Sequence, residues 1–344
     1  MLAIVKEERK PGAVVMRDVP AARPLEGEIL IRVHSAAICG SDLHAYEYPP
    51  AYEFMKIPVI LGHEYAGTVE AAGPGATVFR RGERVMGESN RFCGRCANCR
   101  TGRTNICENN LMTGLHVDGG MAEFIAVPEN LVHRVPDNLS FEEAAVAQPC
   151  AVSFHAVYDN SAVVPGAAVA VFGAGVVGLT VAQAARLCGA AAVVVSGTGA
   201  DARTRLPLAR RMGFPTVDID EEDLVAGFVS RTGRRRADAV LECSGSAAGI
   251  RDALRLVRKG GTVTLVGIYG QDAAISFAAV VRDEIHIKTS YTATWKNYEQ
   301  ALDLIAGGRV EVRPLITVYP FREGLQAFRD GLARAALKPV LQLA

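Results

Sequence analysis

The stretch "VAVFGAGVVG", Val169 to Gly178, constrains the fold more than any other part of the chain. An apolar run ends on Gly173, Gly175 and Gly178, and a second apolar run follows at once. This is the spacing of a turn between a buried strand and a helix. The first glycine bends the chain, the second lets backbone approach a phosphate, and the third lets helix lie against strand. Val176 and Val177 then open the helix, whose N-terminal N–H groups face an anion. Glycines at such a turn also serve packing alone, but strand before and helix after favour a dinucleotide.

The same region is long enough to span a bilayer, since Val169 to Val195 carries a single charge, Arg186. Glycines at 173, 175, 178 and 189 and the preceding Pro165-Gly166 break it into strand, turn, helix and strand instead. The opening "MLAIVKEERKPG" is too short in its apolar part for a signal peptide. Lysine and arginine balance aspartate and glutamate at 37 each, with no block of either sign. The expectation is therefore a cytoplasmic protein with no membrane and no nucleic-acid partner.

The 344 residues, 49% of them apolar, suit two domains with cores of their own. Up to about residue 150, short β-rich runs such as "GEILIRVHSAAI" alternate with Gly and Pro turns, the texture of an irregular β domain. From Pro165 the order is strand, helix, strand, helix, with helices expected over Val176–Cys188, Arg203–Met212 and Gly249–Val257. That alternation predicts a doubly wound parallel sheet and an α/β chain. The expected division is 1–152, 153–290 and 291–344, the last part returning to the first domain.

The second strand, "AAVVVSG", places Gly197 where the acid that holds an adenosine ribose is expected, roughly 20 residues beyond the loop. Arg203 and Arg205 follow. A missing carboxylate with a nearby arginine suits a 2′-phosphate, so the cofactor is NAD or NADP with a lean to NADP. Asp201 could still reach a ribose from a longer loop.

"FCGRCANCRTGRTNIC" packs Cys93, Cys96, Cys99 and Cys107, half of the eight cysteines, into fifteen residues. In a reducing compartment such clusters hold metal rather than disulfides. Four thiolates close a tetrahedral zinc and leave no position for a substrate, so this lobe, about 90–110, is structural. Chemistry needs a second set. "ICGSDLHAY" supplies Cys39 and His44, and "ILGHEYAG" supplies His63 and Glu64. Sulfur, nitrogen and oxygen donors suit a zinc with an open fourth position.

The order "CGSDLH", "GHEYAG", four-cysteine lobe and "GAGVVG" resembles the zinc-dependent medium-chain dehydrogenases/reductases over essentially the whole length, nearest the sorbitol and threonine dehydrogenase branch. The resemblance implies a GroES-like catalytic domain, a Rossmann domain, and a homodimer or homotetramer. It implies that Ser41 and His44 relay the substrate proton to solvent through the nicotinamide ribose, and that Asp42 orients a zinc ligand. It also implies that Cys243, Ser244, Val266 and Gly267 line the adenine and nicotinamide ends of the groove. Where polyol dehydrogenases carry an acid before proline, "AAVAQPCAVSFHAV" has Gln148-Pro149. Gln148, Cys150 or water is then the fourth ligand of the catalytic zinc.

The resulting expectation is a zinc-dependent, NAD(P)-linked oxidation of a secondary alcohol on a polyol, sugar, cyclitol or hydroxy amino acid. A threonine 3-dehydrogenase activity is the alternative. A zinc- and nucleotide-binding relative without turnover is the reading from another class. Tyr46, Tyr48, Trp295 and Lys296 are candidates for a polar pocket.

Overall fold

The computed structural model describes residues 1–343. They form two units: residues 1–148 with 294–343, and residues 149–293.

The first unit is built on a seven-stranded sheet. Its main path runs Val132–Arg134, Arg84–Gly87, Glu64–Ala72, Glu28–Ala37, Lys338–Gln342 and Ile316–Pro320, with Phe124–Pro128 also paired to Glu28–Ala37. A three-stranded sheet holds Val14–Asp18, Leu2–Lys6 and Val59–Ile60. Strand Glu28–Ala37 alternates buried and half-exposed residues at first and ends in three buried ones, Ser35 to Ala37. It therefore presents one face to solvent early and is covered on both faces where it approaches Cys39. Glu64 pairs with Ala37 in the neighbouring strand, so the two ligand-bearing segments leave the sheet side by side. The C-terminal strand pairs Leu341 with Ala36, which brings Lys338 to the same end. Ile4, Ile29, Ile31, Tyr65, Met121 and Phe328 belong to the core of this unit.

The second unit is a six-stranded, all-parallel sheet in the order Thr216–Asp218, Ala192–Gly197, Ala168–Phe172, Ala237–Glu242, Val257–Leu265, His286–Thr289. In sequence order that is 3-2-1-4-5-6, the doubly wound dinucleotide arrangement. Every residue of "AVAVF" is buried, as the near-continuous apolar run of a central parallel strand requires. Helix Val176–Leu187 follows the glycine turn and buries eight consecutive residues from Gly178 to Ala185. The helix expected from Arg203 begins at Arg205, because Thr198 and Asp201 first close a separate turn over Gly199–Asp201. Strand Thr216–Asp218 and helix Leu224–Thr232, not anticipated from sequence, fill the step between the second and fourth strands. Among the described residues no helix is long and apolar enough to cross a membrane.

Candidate functional site

Cys39 ends the loop after strand Glu28–Ala37 and caps helix Gly40–Glu47. His63 immediately precedes the next long strand, which Glu64 opens. One ligand atom from each of Cys39, His63 and Glu64 lies within 4.8 Å of the others. Asp42, fully buried, binds the two segments together: Oδ2 accepts from Cys39 N at 2.8 Å and Oδ1 from Gly62 N at 3.3 Å. Ser41 Oγ is 3.2 Å from His63 Nε2. His63 Nδ1 is buried with no hydrogen-bond partner and lies 3.8 Å from Asp42 Oδ1.

A residue without any sequence motif joins this group. Lys338 is 3% exposed; its Nζ donates to Glu64 Oε1 at 2.7 Å and to Ile38 O at 3.2 Å. Burial pushes the Glu64 carboxyl up to about 8 even against the Lys338 ammonium. Burial alone would lower Lys338, but Glu64 and Cys39 hold it above its ordinary value. The burial that disfavours the Glu64 carboxylate would be offset by a cation set among these donors, and S, N and O atoms this close match zinc. The residues fit that ion.

Cys93, Cys96, Cys99 and Cys107 form the other group with metal spacing. Cys96 Sγ is 3.5 Å from Cys99 Sγ and 3.9 Å from Cys107 Sγ. The edge of a tetrahedron with zinc–sulfur bonds of about 2.3 Å is about 3.8 Å. Backbone N–H groups of Arg95 and Cys96 bring the Cys93 thiol down to about 6. Burial and the neighbouring sulfurs push Cys99 up to about 12, so this tight set of thiols fits one shared cation better than four protons.

Ser41 is half-buried, whereas His44 is exposed, with Nδ1 3.3 Å from Glu47. Gln148 is 5% exposed, and its amide nitrogen donates to Ser89 Oγ at 3.2 Å. The same amide also bonds the Tyr298 phenol. Its carbonyl oxygen is the atom left to meet a cation. Cys150 is fully buried in the second unit. Tyr46 stacks on Phe328, Tyr48 accepts from Arg9, and Trp295 lies on His133.

In the second unit Gly173 has φ +95°, and a Cβ on Gly178 would stand 1.8 Å from Gly173 O. Both positions therefore require glycine. Gly175 caps the helix that Val176 and Val177 begin, and no side chain satisfies its first N–H groups. They are free for a phosphate. Gly197 ends its strand under Asp201 and Leu206. Asp201 is 6% exposed; it accepts from Thr198 N at 3.2 Å and pairs with Arg205 at 3.4 Å. Arg203 is exposed. Asp220, which the sequence did not bring forward, accepts from Gly199 N at 2.8 Å. Ser244 N would be 3.1 Å from a Cβ on Gly173, so Cys243-Ser244 adjoins the glycine turn. Val266 and Gly267 close the next strand's end by donating to Glu242 O at 2.8 and 2.9 Å.

Residues 25–137 match the alcohol dehydrogenase GroES-like domain, and residues 176–307 match the zinc-binding dehydrogenase domain. An L-threonine 3-dehydrogenase of Anaeromyxobacter sp. (strain K) is 34% identical over 342 residues, 96% of each chain. A zinc-binding dehydrogenase of Sinorhizobium meliloti 1021, solved bound to NADP, superposes with a TM-score of 0.91 at 31% identity, covering 99% of both chains. L-idonate 5-dehydrogenase of Escherichia coli K-12 gives a TM-score of 0.89 at 26% identity, covering 99% of this chain and 98% of its own. With its parallel dinucleotide sheet, its two metal-spaced groups and these relatives, the chain belongs to the zinc-dependent medium-chain dehydrogenases/reductases of the alcohol dehydrogenase superfamily.

Proposed function

We propose that this chain oxidises a secondary alcohol on a small polar molecule, a polyol, sugar, cyclitol or hydroxy amino acid, with NAD(P) as hydride acceptor. The observation that carries it is the group Cys39, His63 and Glu64, built around buried Asp42 beside the Ser41 hydroxyl. These three residues would hold a zinc that, when bound, supplies a Lewis acid and lowers the alcohol's pKa. Asp42 fixes Cys39 and the Gly62-His63 turn through two backbone N–H bonds. Lys338 Nζ lies against both Glu64 oxygens, 2.7 Å from Oε1 and 2.5 Å from Oε2, limiting how the carboxylate turns. Ser41 would accept the alcohol's proton as its own hydroxyl proton moves on toward exposed His44, on the same helix, and from there to water. Gln148, its nitrogen spent on Ser89, offers a neutral oxygen as the fourth donor. Four thiolates in the Cys93–Cys107 lobe would close a second, structural zinc.

The relatives named L-threonine 3-dehydrogenase favour a hydroxy amino acid as the second reading. Reduction of NAD and NADP followed at 340 nm over polyols, sugars, cyclitols and L-threonine, with zinc content measured, tests both. No turnover in a zinc-loaded protein with any of them would leave the non-catalytic reading. Gly197 and exposed Arg203 favour NADP. Arg203→Ala should then raise the KM for NADP more than that for NAD, and a wild type that strongly prefers NAD overturns the assignment.

The chain is also proposed to be a homodimer or homotetramer. Strand His286–Thr289 is the outer edge of the parallel sheet, and Ile268, Phe277 and Val281 are 70, 67 and 72% exposed. An unpaired edge with apolar neighbours is a surface that a second copy covers.

A further inference from the structure

At the carboxyl end of strand Ala237–Glu242 the last residue, Glu242, is completely buried, and no cation is paired with it among the described residues. Four donors keep it there instead. Oε1 accepts from Ser244 N at 2.8 Å and from the Ser244 hydroxyl. Oε2 accepts from Gly245 N at 3.0 Å and from the Tyr269 hydroxyl at 2.7 Å. The Glu242 carbonyl meanwhile accepts from Val266 N and Gly267 N. One residue therefore ties the turn at 243–245 to the turn at 266–269. Backbone approaches backbone between them, since a Cβ on Gly267 would stand 2.2 Å from Gly245 N and one on Gly245 would stand 2.4 Å from Ile268 O. Ligands of doubly wound sheets bind outside these carboxyl ends. A carboxylate bonded by four donors fixes their positions.

We infer that Glu242 and Tyr269 are a positioning pair for the nicotinamide end of the bound nucleotide. Neither needs to touch it: the Tyr269 hydroxyl is spent on Glu242, and burial together with that carboxylate pushes the phenol's pKa up, so it stays a donor. What the pair sets is where the Val266-Gly267 backbone lies. Removing the phenol oxygen frees the 266–269 turn but leaves the Ser244 and Gly245 bonds to Glu242 in place. Binding of the nicotinamide half should weaken while the adenine half is held as before. This rests on the reading that unit 149–293 takes NAD(P) with Val266 and Gly267 at the nicotinamide end.

The test titrates purified wild type and Tyr269→Phe with NADH and NADPH by fluorescence, without alcohol. The matching adenine fragment, ADP or 2′,5′-ADP, is titrated by calorimetry. The expected result is a Kd for the whole nucleotide raised about three- to tenfold, the net scale of one ordinary hydrogen bond. The fragment's Kd stays within twofold. Glu242→Gln, which turns an NH2 toward backbone N–H donors, should weaken both. If that variant fails to fold, Tyr269→Phe decides alone. Equal weakening of nucleotide and fragment in Tyr269→Phe, or no weakening of either, overturns the inference. A wild type that binds neither dinucleotide overturns the underlying reading, and the inference with it.

Discussion

His133 shows what one side chain can do when fully enclosed. It is 1% exposed, with Nε2 3.0 Å from Glu88 and Nδ1 bonded to Glu299. Burial would lower the imidazolium's pKa, but the two carboxylates carry it above the ordinary 6.5. A folded-state value above the unfolded one means that this contribution to stability is full below about 6.5 and is lost as pH rises through the folded value. Glu299 is held below its ordinary value chiefly by the same bond, so its share is lost as pH falls through the folded value. The chain's single tryptophan, Trp295, stands over the ring with centroids 3.9 Å apart. A protonated imidazole at that distance quenches indole emission, so fluorescence should rise with pH, with a midpoint above about 6.5. The transition should vanish in His133→Gln. Emission that stays flat while the protein remains folded, or a transition that survives the substitution, rejects the assignment. Sequence could not supply this cluster, because Glu299 lies 166 residues from His133 and neither sits in a motif. Lys338, 274 residues from Glu64, was illegible for the same reason. The four cysteines were legible as a cluster because fifteen residues of chain cannot spread them far.

Elements were legible in proportion to how strongly burial patterns them. "AVAVF" and "AAVVVS" announced their strands because a parallel strand covered on both faces is apolar throughout. Strand Thr216–Asp218 has three residues, too few for any period to show, and an acidic run follows it. The edge strand His286–Thr289 reads as alternating and polar because no buried residue lies within it. That exposure has a consequence for assembly. Helix Phe277–Arg282 carries no buried residue, although Phe277 and Val281 are apolar. A monomer rarely leaves such side chains together in water without use for them. Phe277→Asp combined with Val281→Asp should therefore convert the assembled protein to single chains in sedimentation velocity, with the far-ultraviolet circular dichroism unchanged. A wild type that already sediments as a single chain would sink the edge-strand interface.

At the scale of the molecule, two metal groups with different openness sit in one unit that also receives the C-terminal strand. Their difference is kinetic as well as chemical. A zinc whose fourth donor is a neutral amide oxygen exchanges through that weakly held position, whereas four thiolates offer a chelator no point of attack. Structural zinc also carries folding energy, on the order of 10–16 kcal/mol in small zinc domains, and its lobe has only short elements of its own, Ala97–Arg100 and Thr104–Ile106. Two zinc ions per chain are expected. A small bidentate chelator should remove one quickly and abolish turnover while circular dichroism and NAD(P)H binding persist. Restoring zinc should restore turnover. Lys338 allows the fold to survive this loss, since it still neutralises Glu64 when the dication is gone. Cys99→Ser should act in reverse, lowering zinc to one per chain and depressing the melting temperature or the assembly state, with hydride transfer retained in whatever protein stays folded. Zinc per chain, turnover and melting temperature, measured along one chelation time course for both proteins, check this. Two ions leaving together, or a stable Cys99→Ser that selectively loses hydride transfer, would assign the chemistry to the wrong cysteines.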